Sequence, residues 1–337
     1  MNTESLIDKI VISSRVRLAR NFENIPFPSK LNDERNFFIL KSVFDSIKND
    51  DDFKILTMKN LDEISKGVLF EKHLISAKLI SNTNFGAVIL NSSETVSIMV
   101  CEEDHLRLQS IYKGFNLYRA FDEINKIDSQ ISRKNRIAYD SKLGYLTACL
   151  TNVGTGLRAS VMLFLPALSL NNKMSEILNF VRKKGQTIRG LYGEGSGGDG
   201  YIYQVSNQST LGKSENKIIQ DVNDSVLEIC KKEIEEREEI FKTKKEILTR
   251  VAIENAKKLT QLSKISIEQF MESVGIVRLG VELGIIKMEN EKVLQDLIQI
   301  VQPNSLRELS SQNICDERLD EFRSKYLKKI LKNIIHF

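Results

Sequence analysis

Residues 145–168 read Tyr-Leu-Thr-Ala-Cys-Leu-Thr-Asn-Val-Gly-Thr-Gly-Leu-Arg-Ala-Ser-Val-Met-Leu-Phe-Leu-Pro-Ala-Leu. The two glycines, Gly154 and Gly156, predict a tight loop, and the apolar run that ends at Pro166 predicts a buried strand directly after it. The amides and hydroxyls of this loop, with Arg158 beside them, are donors that suit an anion such as a phosphate. A glycine turn with no ligand gives the same pattern, so both interpretations remain open at this point.

The composition is that of a globular protein. With 337 residues, 41% of them hydrophobic, the chain is long enough for one large or two medium domains. It contains no apolar run of membrane-spanning length, and its first residues lack the order of a signal peptide, so we expect a cytoplasmic protein without a membrane partner. A net charge of +4 without a dense basic block gives no indication of nucleic-acid binding. The cysteines are scattered without the spacing of a disulfide framework or a zinc site, at Cys101, Cys149, Cys230 and Cys315.

A second group of donors lies near the N-terminus. In residues 11–21 the alternation of side chains predicts an extended segment with Arg15 and Arg17 on one side and Val16 and Leu18 on the other. Two neighbouring guanidinium groups repel each other unless an anion lies between them, so the pair indicates an anion site. A solvated strand edge is the alternative interpretation.

Charged residues also follow a predicted hairpin in the middle of the chain. The apolar runs 86–90 and 96–100 are joined by Asn91-Ser-Ser-Glu, which predicts the hairpin. Its second strand ends in Cys101-Glu-Glu-Asp-His-Leu-Arg, and burying so many charges is costly unless they act on something. His73 lies in a polar cluster before this hairpin, and a single histidine of this kind is more often structural.

The remaining pattern divides the chain into a mixed part and a helical part. Helices are predicted over about 32–49, 114–131 and 174–184, with a strand over 201–206. Residues 190–200 contain six glycines, which predicts a mobile loop closing over a substrate or, alternatively, a flexible linker. One long charged helix is predicted over about 223–262, with further helices over 291–301 and 323–334. We therefore expect two domains, 1–222 and 223–337, the second packing on the first or mediating dimerisation.

Six short motifs combine these features. In chain order they are Ser13-Ser-Arg-Val-Arg-Leu-Ala-Arg-Asn, Glu71-Lys-His-Leu-Ile-Ser, Glu102-Glu-Asp-His-Leu-Arg, Thr151-Asn-Val-Gly-Thr-Gly-Leu-Arg-Ala-Ser-Val-Met, Arg189-Gly-Leu-Tyr-Gly-Glu-Gly-Ser and Ser206-Asn-Gln-Ser-Thr-Leu-Gly-Lys-Ser-Glu. With these motifs the chain resembles the guanidino-phosphotransferases, the superfamily of creatine and arginine kinases, and looks most like its bacterial protein-arginine kinases. Two C-terminal stretches, Val277-Arg-Leu-Gly-Val-Glu-Leu-Gly-Ile and Val301-Gln-Pro, extend the resemblance over nearly the whole chain.

The resemblance implies a fold, an activity and partners. The fold is α+β, an antiparallel sheet flanked by helices and followed by a helical C-terminal domain. The activity is transfer of the ATP γ-phosphoryl group, with Mg²⁺ on the phosphates, to arginine side chains of proteins. Creatine and arginine kinases carry an N-terminal helical domain that closes over a small substrate, whereas here the first motif begins at Ser13, so we expect a site open to protein substrates. A zinc-binding activator protein and a Clp-type unfoldase and protease are the implied partners.

The resemblance also implies roles for individual residues. Glu103 corresponds to the catalytic carboxylate, Glu194 to a second acidic group at the guanidinium, and Cys149 to a reactive cysteine. A carboxylate pair suits this chemistry because a guanidinium pKa is about 12 or higher, so one group orients it while the other accepts its proton. The implied nucleotide-contacting residues are Ser13, Ser14, Arg15, Val16, Arg17, His73, Arg107, Arg158, Ala159, Ser160, Val161, Met162, Arg189, Gly190, Leu191, Tyr192, Gly193 and Glu194.

Three positions near the implied active site depart from the family pattern. Cys101 replaces an asparagine before the acidic run, and Leu150 replaces a proline after the cysteine. Gly197 replaces a glutamate in the glycine-rich loop, which removes a carboxylate from the guanidinium site.

A further departure lies near the C-terminus. The family has a phosphoarginine pocket there, of which Asp320 and Arg323 remain, while Leu319 replaces the first arginine. Two alternatives to an active protein-arginine kinase stay open, the first motivated by Gly197 and Leu319 and the second disfavoured by the N-terminal position of the first motif. One is a catalytically impaired ATP-binding adaptor or regulator, and the other is a phosphagen kinase of small guanidino compounds.

Overall fold

The computed structural model describes residues 3–49, 52–82, 84–190, 199–310 and 314–336. Its centre is an eight-stranded antiparallel sheet with the strand order β2-β3-β4-β5-β1-β8-β10-β9. The strands are β1 (Val11–Arg20), β2 (Phe53–Thr57), β3 (Ala87–Asn91), β4 (Val96–Val100), β5 (Leu106–Lys113), β8 (Leu157–Phe164), β9 (Gln186–Gly190) and β10 (Ile202–Asn207). Two short pairs lie outside this sheet, β6 (Tyr139–Asp140) with β7 (Gly144–Tyr145) and β11 (Lys287–Met288) with β12 (Ile335–His336).

Helices cover both faces of the sheet and form the C-terminal part. They are α1 (Thr3–Ile10), α2 (Asp33–Ile47), α3 (Glu63–Glu71), α4 (Ala77–Ser81), α5 (Leu117–Lys134), α6 (Pro166–Leu170), α7 (Met174–Lys183), α8 (Glu215–Thr243), α9 (Lys245–Gln261), α10 (Ile267–Glu282), α11 (Lys292–Ile300), α12 (Pro303–Ser310) and α13 (Asp316–Leu331). Within the ranges that the structure describes, no helix has the length and apolar content needed to cross a lipid bilayer.

The main core lies between one face of the sheet and helices α2, α5, α7 and α8. Helix α2 shows how the sequence builds it. The side chain of Asn32 accepts the N–H of Arg35 and so starts the helix, and Ile39, Val43 and Ile47, spaced four apart, form its buried face. The predicted helix over 32–49 is confirmed.

The alternation along β1 separates the core from the opposite face. Val16 and Leu18 are buried in the core, as predicted. Arg20 lies on the same core side, and its guanidinium pairs with Asp128 at 2.8 Å and with Glu215 at 3.1 Å. A buried charge is tolerated when it is paired in this way. Arg20, the last arginine of the first motif, therefore stabilises the fold, whereas Arg15 and Arg17 lie on the opposite face of the sheet.

The C-terminal helices pack around a second core that includes Phe164 of β8. The single helix predicted over 223–262 is wrong, because α8 ends at Thr243 and α9 begins at Lys245. Lys244 between them has φ −129° and ψ 21°, outside helical geometry. The sequence has no glycine or proline there to indicate the break, and α9 packs on α10 and α13 after it. Helix α8 also runs without interruption through position 222, where we placed the domain boundary.

Candidate active site

The predicted phosphate-binding arginines lie on one face of the sheet, opposite the main core. Residues paired directly across antiparallel strands point to the same side. Arg17 of β1 pairs with Arg158 of β8, and Arg15 pairs with Ser160. The Arg15 Nε and the Ser160 Oγ are 3.4 Å apart. Two of the arginine motifs therefore meet side by side, although about 140 positions separate them in the sequence.

Arg107 and Arg189 join the same face through the strand register. Gln109 of β5 pairs with Arg17, and Arg107 lies two positions before Gln109 on the same side of the strand. On the other flank, Gln204 of β10 pairs with both Met162 and Arg189. The face that we call the arginine face consists of Arg15, Arg17, Arg107, Arg158 and Arg189.

The charges of the arginine face repel one another. Burial lowers the pKa of Arg15 to about 10, with Arg158 and Arg107 adding to the shift. Burial likewise lowers the pKa of Arg17 well below its usual range, and Arg15, Arg158 and Arg107 lower it further. The Arg17 Nε is buried and has no hydrogen-bond partner within the described part of the chain. Like charges directly opposite each other destabilise a sheet, so this face is suited to a polyanion that pairs with them.

His73 lies beside the arginine face. It follows α3 with φ 59°, a left-handed conformation that is uncommon for any residue but glycine. Its carbonyl accepts the side-chain N–H of Gln109 at 2.8 Å. His73 is an exposed residue, yet the protein around its imidazole lowers the pKa to about 4 by burial, with the charges of Arg15 and Arg17 contributing. His73 is therefore neutral at pH 7, which suits a group beside a nucleotide.

The first two carboxylates of the acidic run have different surroundings. Glu102 is buried, and its Oε1 accepts the hydroxyl of Ser76 at 2.5 Å and pairs with Arg107 at 2.9 Å. Glu103 is partly exposed and pairs with Lys78 at 3.0 Å and more loosely with Arg107 at 3.6 Å. Of the two carboxylates, Glu103 is therefore the one that a cationic group from solvent can reach. The sequence analysis missed Ser76 and Lys78; Ser76 ends the second motif, while no pattern indicates Lys78.

The next two residues of the run, Asp104 and His105, have protein partners that account for their burial without a ligand. Asp104 accepts the side-chain N–H of Asn21 at 2.7 Å and the backbone N–H of Ala148 at 2.6 Å. His105 is fully buried; its Nδ1 accepts the N–H of Phe22, so its Nε2 carries the proton and donates to the carbonyl of Pro26 at 2.7 Å. Partners in neighbouring loops offset the cost of burying both groups.

Asp104 also places Cys149 near the acidic residues, because Ala148 is the neighbour of Cys149 and Asp104 is the neighbour of Glu103. Cys149 is half-buried, and its Sγ lies 3.1 Å from the hydroxyl of Thr151.

The glycine loop that follows packs against protein. Gly154 has φ 114°, and a Cβ there would lie 2.3 Å from the carbonyl oxygen of Thr210. The N–H and the hydroxyl of Thr155 both donate to that same carbonyl. The glycines thus allow a close backbone contact, which favours the turn interpretation for the loop itself, while Arg158 points from the strand after it to the arginine face.

The other residues that the resemblance assigns to the nucleotide differ in the face of the sheet on which their side chains lie. Ser13 and Met162 pair across β1 and β8 and point to the arginine face, while Gly190 ends β9. The side chains of Ser14, Val16, Ala159 and Val161 point to the main core, so only their backbone can contribute to a nucleotide site. Leu191, Tyr192, Gly193 and Glu194 lie outside the described residues, as does Gly197, the departure in the glycine-rich loop.

Of the two residues that remain from the family's phosphoarginine pocket, Arg323 has protein partners. Arg323 is buried, and its guanidinium donates to the carbonyls of Val301 and Ile265 at 3.0 and 2.8 Å and to the carboxylate of Asp320. Leu319 is buried in the second core. Arg323 therefore takes part in the packing of the C-terminal helices, while the carboxylate of Asp320 is 43% exposed.

Two family descriptions match the chain. Residues 38–236 match the family described as ATP:guanido phosphotransferase, C-terminal catalytic domain. Residues 255–336 match the family described as Protein-arginine kinase McsB C-terminal domain.

Curated relatives match nearly the full length. The chain is 42% identical over 336 residues to the protein-arginine kinase of Clostridium acetobutylicum, which covers 98% of this chain and 99% of that protein. It is 38% identical over 327 residues to the protein-arginine kinase of Bacillus subtilis, which covers 96% of this chain and 90% of that protein.

Solved structures share the fold. The crystal structure of lombricine kinase matches with a TM-score of 0.59 and 26% identity over 67% of this chain and 66% of that chain. The duplicated taurocyamine kinase from Schistosoma mansoni matches with a TM-score of 0.63 and 22% identity, covering 77% of this chain and 39% of that one. The predicted fold class is therefore confirmed.

Proposed function

The chain belongs to the ATP:guanido phosphotransferase family and, within it, to the protein-arginine kinases, and we propose that its arginine face binds the ATP whose γ-phosphoryl group it transfers to arginine side chains of proteins. The observation that carries this proposal is the direct pairing of Arg17 with Arg158, with Arg15 next to them, on a face that also presents Glu103. The arginines, which repel one another, suit the binding of a triphosphate, and the accessible carboxylate of Glu103 suits the binding of a guanidinium.

The arginines supply the electrostatic part of the reaction. Phosphoryl transfer depends mainly on positioning the two reactants and on neutralising the charge of the transferring group. A bound triphosphate relieves the repulsion among Arg15, Arg17 and Arg158, and the neutral His73 beside them adds no competing charge. The donors fit a triphosphate, since a buried guanidinium nitrogen of Arg17 has no partner in the described residues. Magnesium, when bound together with the nucleotide on this face, would supply positive charge that helps to neutralise the phosphates.

The carboxylates supply the acid–base part. Glu103 holds the substrate guanidinium and accepts its proton as the nitrogen–phosphorus bond forms and the bond to the leaving ADP oxygen breaks. Glu102 keeps Arg107 turned towards the phosphates through their 2.9 Å ion pair. We also assign to this site Cys149 as the reactive cysteine and Glu194 as the second acidic group, the latter by family resemblance alone.

The remaining assignments are proposals that rest on the family resemblance. Proteins with exposed arginines are the substrates, and phosphorylation marks them for a Clp-type unfoldase and protease. A zinc-binding protein activates the kinase, the enzyme works in the cytoplasm, and residues 223–337 form a regulatory helical domain through which two copies can associate.

The test is the transfer of labelled phosphate from Mg-ATP to an arginine-rich unfolded protein, with and without the activator. We expect label that acid removes, because a nitrogen–phosphorus bond is acid-labile. Glu103→Gln should abolish the label. The control is Glu94→Gln, which should retain it, because Glu94 lies in the β3–β4 turn and pairs there with Lys72 from the end of α3. Intact ATP binding without any label would contradict the kinase function and favour the adaptor. Label on free arginine alone would favour a phosphagen kinase.

A further inference from the structure

Glu71, the last residue of α3, contacts the C-terminal helices. Its carboxylate accepts four hydrogen bonds of 2.8 Å, from the backbone N–H and side-chain amide of Asn304 and from the N–H and hydroxyl of Ser305. Both residues belong to the first turn of α12, whose N–H groups have no partner within the helix. A carboxylate is favoured at this end of a helix. Glu71 therefore caps α12 from a segment 233 positions away in the sequence.

Gly67, one turn before Glu71, lets the two helices come this close. A Cβ at Gly67 would lie 2.3 Å from the Cγ of Asn304. The contact thus depends on a missing side chain as well as on a carboxylate. The carboxylate of Glu71 and the missing side chain of Gly67 are both complementary to α12, which indicates a specific contact between the two parts of the chain.

The end of α3 transmits this contact to His73. The N–H of His73 donates to the carbonyl of Phe70 and the N–H of Leu74 to that of Leu69, the two hydrogen bonds of a Schellman motif with His73 in the left-handed position. The carbonyls of His73 and Leu74 accept hydrogen bonds from Gln109 and from Ser97 of the sheet. Only one residue separates Glu71 from His73, so a shift of Glu71 also shifts the histidine.

The C-terminal helices meet the arginine-face side of the sheet at a second place. Phe164, six positions after Arg158 and on the same side of β8, is buried in the second core, and the guanidinium of Arg278 from α10 lies 4.2 Å from its ring centroid. The helical part is therefore attached near β8 through α10 and near the His73 segment through α12.

We propose that Glu71 is a positioning residue for nucleotide binding, through which the C-terminal helices hold His73 in place beside Arg15 and Arg17. The inference rests on the proposed function, since it requires ATP at the arginine face. Glu71 itself contacts α12 and acts through the backbone of His73.

The experiment compares the full-length wild type with Glu71→Gln, which keeps the shape of the side chain but replaces one acceptor oxygen by a donor. We expect the affinity for ATP, measured by calorimetry, to fall about 5-fold or more. The KM for ATP should rise to match, while kcat at saturating ATP and the KM for the protein substrate stay unchanged. Gly67→Ala, which displaces Asn304, should have the same effect. Glu63→Gln is the control, because Glu63 lies in the first turn of α3 with an exposed side chain.

Thermal unfolding of each variant separates positioning from general stability. A lower unfolding temperature with unchanged ATP affinity and KM would overturn the inference and leave Glu71 with a structural role only. If Glu71→Gln does not fold, Ser305→Ala, which removes one of the four hydrogen bonds, carries the same expectation with a smaller loss. If the wild type itself binds no ATP, both the inference about Glu71 and the proposed function are overturned. If the wild type binds ATP and the variants behave as it does, the inference alone fails.

Discussion

The ammonium group of Lys78 lies 3.0 Å from the carboxylate of Glu103, the group proposed to hold the substrate guanidinium. An arginine substrate must displace this ammonium or share the carboxylate with it. We expect Lys78→Met to lower the KM for a protein substrate by about 1.4- to 5-fold, the range that corresponds to exposed ion pairs. Lys48→Met, which removes an ammonium paired with Asp45 on α2, controls for net charge. A KM that rises or stays the same would contradict competition by Lys78.

Arg158 should lower the stability of the protein without nucleotide and be needed for its affinity for ATP. Because it faces Arg17 directly, Arg158→Gln should leave the unfolding temperature without nucleotide equal or higher, while the affinity for ATP falls by about tenfold or more. Calorimetric titration and thermal unfolding measure the two effects. Arg136→Gln, at a guanidinium that is 90% exposed, should change neither. A loss of stability in Arg158→Gln would show that the repulsion is already offset without nucleotide.

His73 should make stability depend on pH. Its pKa in the folded protein is about 4, below the ordinary value of 6.5, so between these values the unfolded state binds more protons. The contribution of His73 is therefore fully present above pH 6.5 and is lost as the pH falls towards 4. We expect His73→Asn, which tolerates the left-handed backbone, to lose less stability over this window than the wild type. Urea unfolding at several pH values measures this, and the exposed His336→Asn should follow the wild type.

Gly154 should not tolerate any side chain. An alanine there combines φ 114° with a contact of 2.3 Å to the Thr210 carbonyl oxygen, so Gly154→Ala should cost about 3 kcal/mol or more in the free energy of unfolding. Gly212 has φ 81° but open space around a Cβ, so Gly212→Ala should cost only about 1 kcal/mol. Urea unfolding compares the two variants. Equal losses would mean that backbone conformation alone, and not the close approach, decides the cost.

Glu233 should be a major contributor to stability. It is buried in α8, accepts the N–H groups of Ala167 and Leu168 at 3.0 Å and pairs with Arg237 at 2.7 Å. Removing one partner of a buried ion pair leaves an uncompensated charge, so Glu233→Gln should cost about 3 kcal/mol or more. Glu238→Gln, on the exposed side of the same helix, should change stability by less than about 0.5 kcal/mol. A small effect at Glu233 would mean that Glu282, the other partner of Arg237, balances its charge alone.

Local patterns predicted the elements of the site because they follow from chain geometry. The alternation of β1 placed Arg15 and Arg17 opposite Val16 and Leu18, and the structure agrees. The same alternation places Arg20 in the core, where Asp128 and Glu215 pair with it, but nothing in the sequence names these distant partners. Asp104 of the acidic run likewise pairs with Asn21 and Ala148 from other segments, so the division of the run into reachable and structural groups could not be predicted.

By itself, the sequence determined the family, the α+β fold class and the arginines that form the arginine face, since motif order and periodicity are properties of the chain. The tertiary structure decided which charges face each other. Strand register set Arg17 opposite Arg158, and helix packing placed Lys78 on Glu103 and Glu71 on α12. Such contacts depend on how distant segments dock, and because docking energies are spread over many side chains, no single stretch of sequence records them.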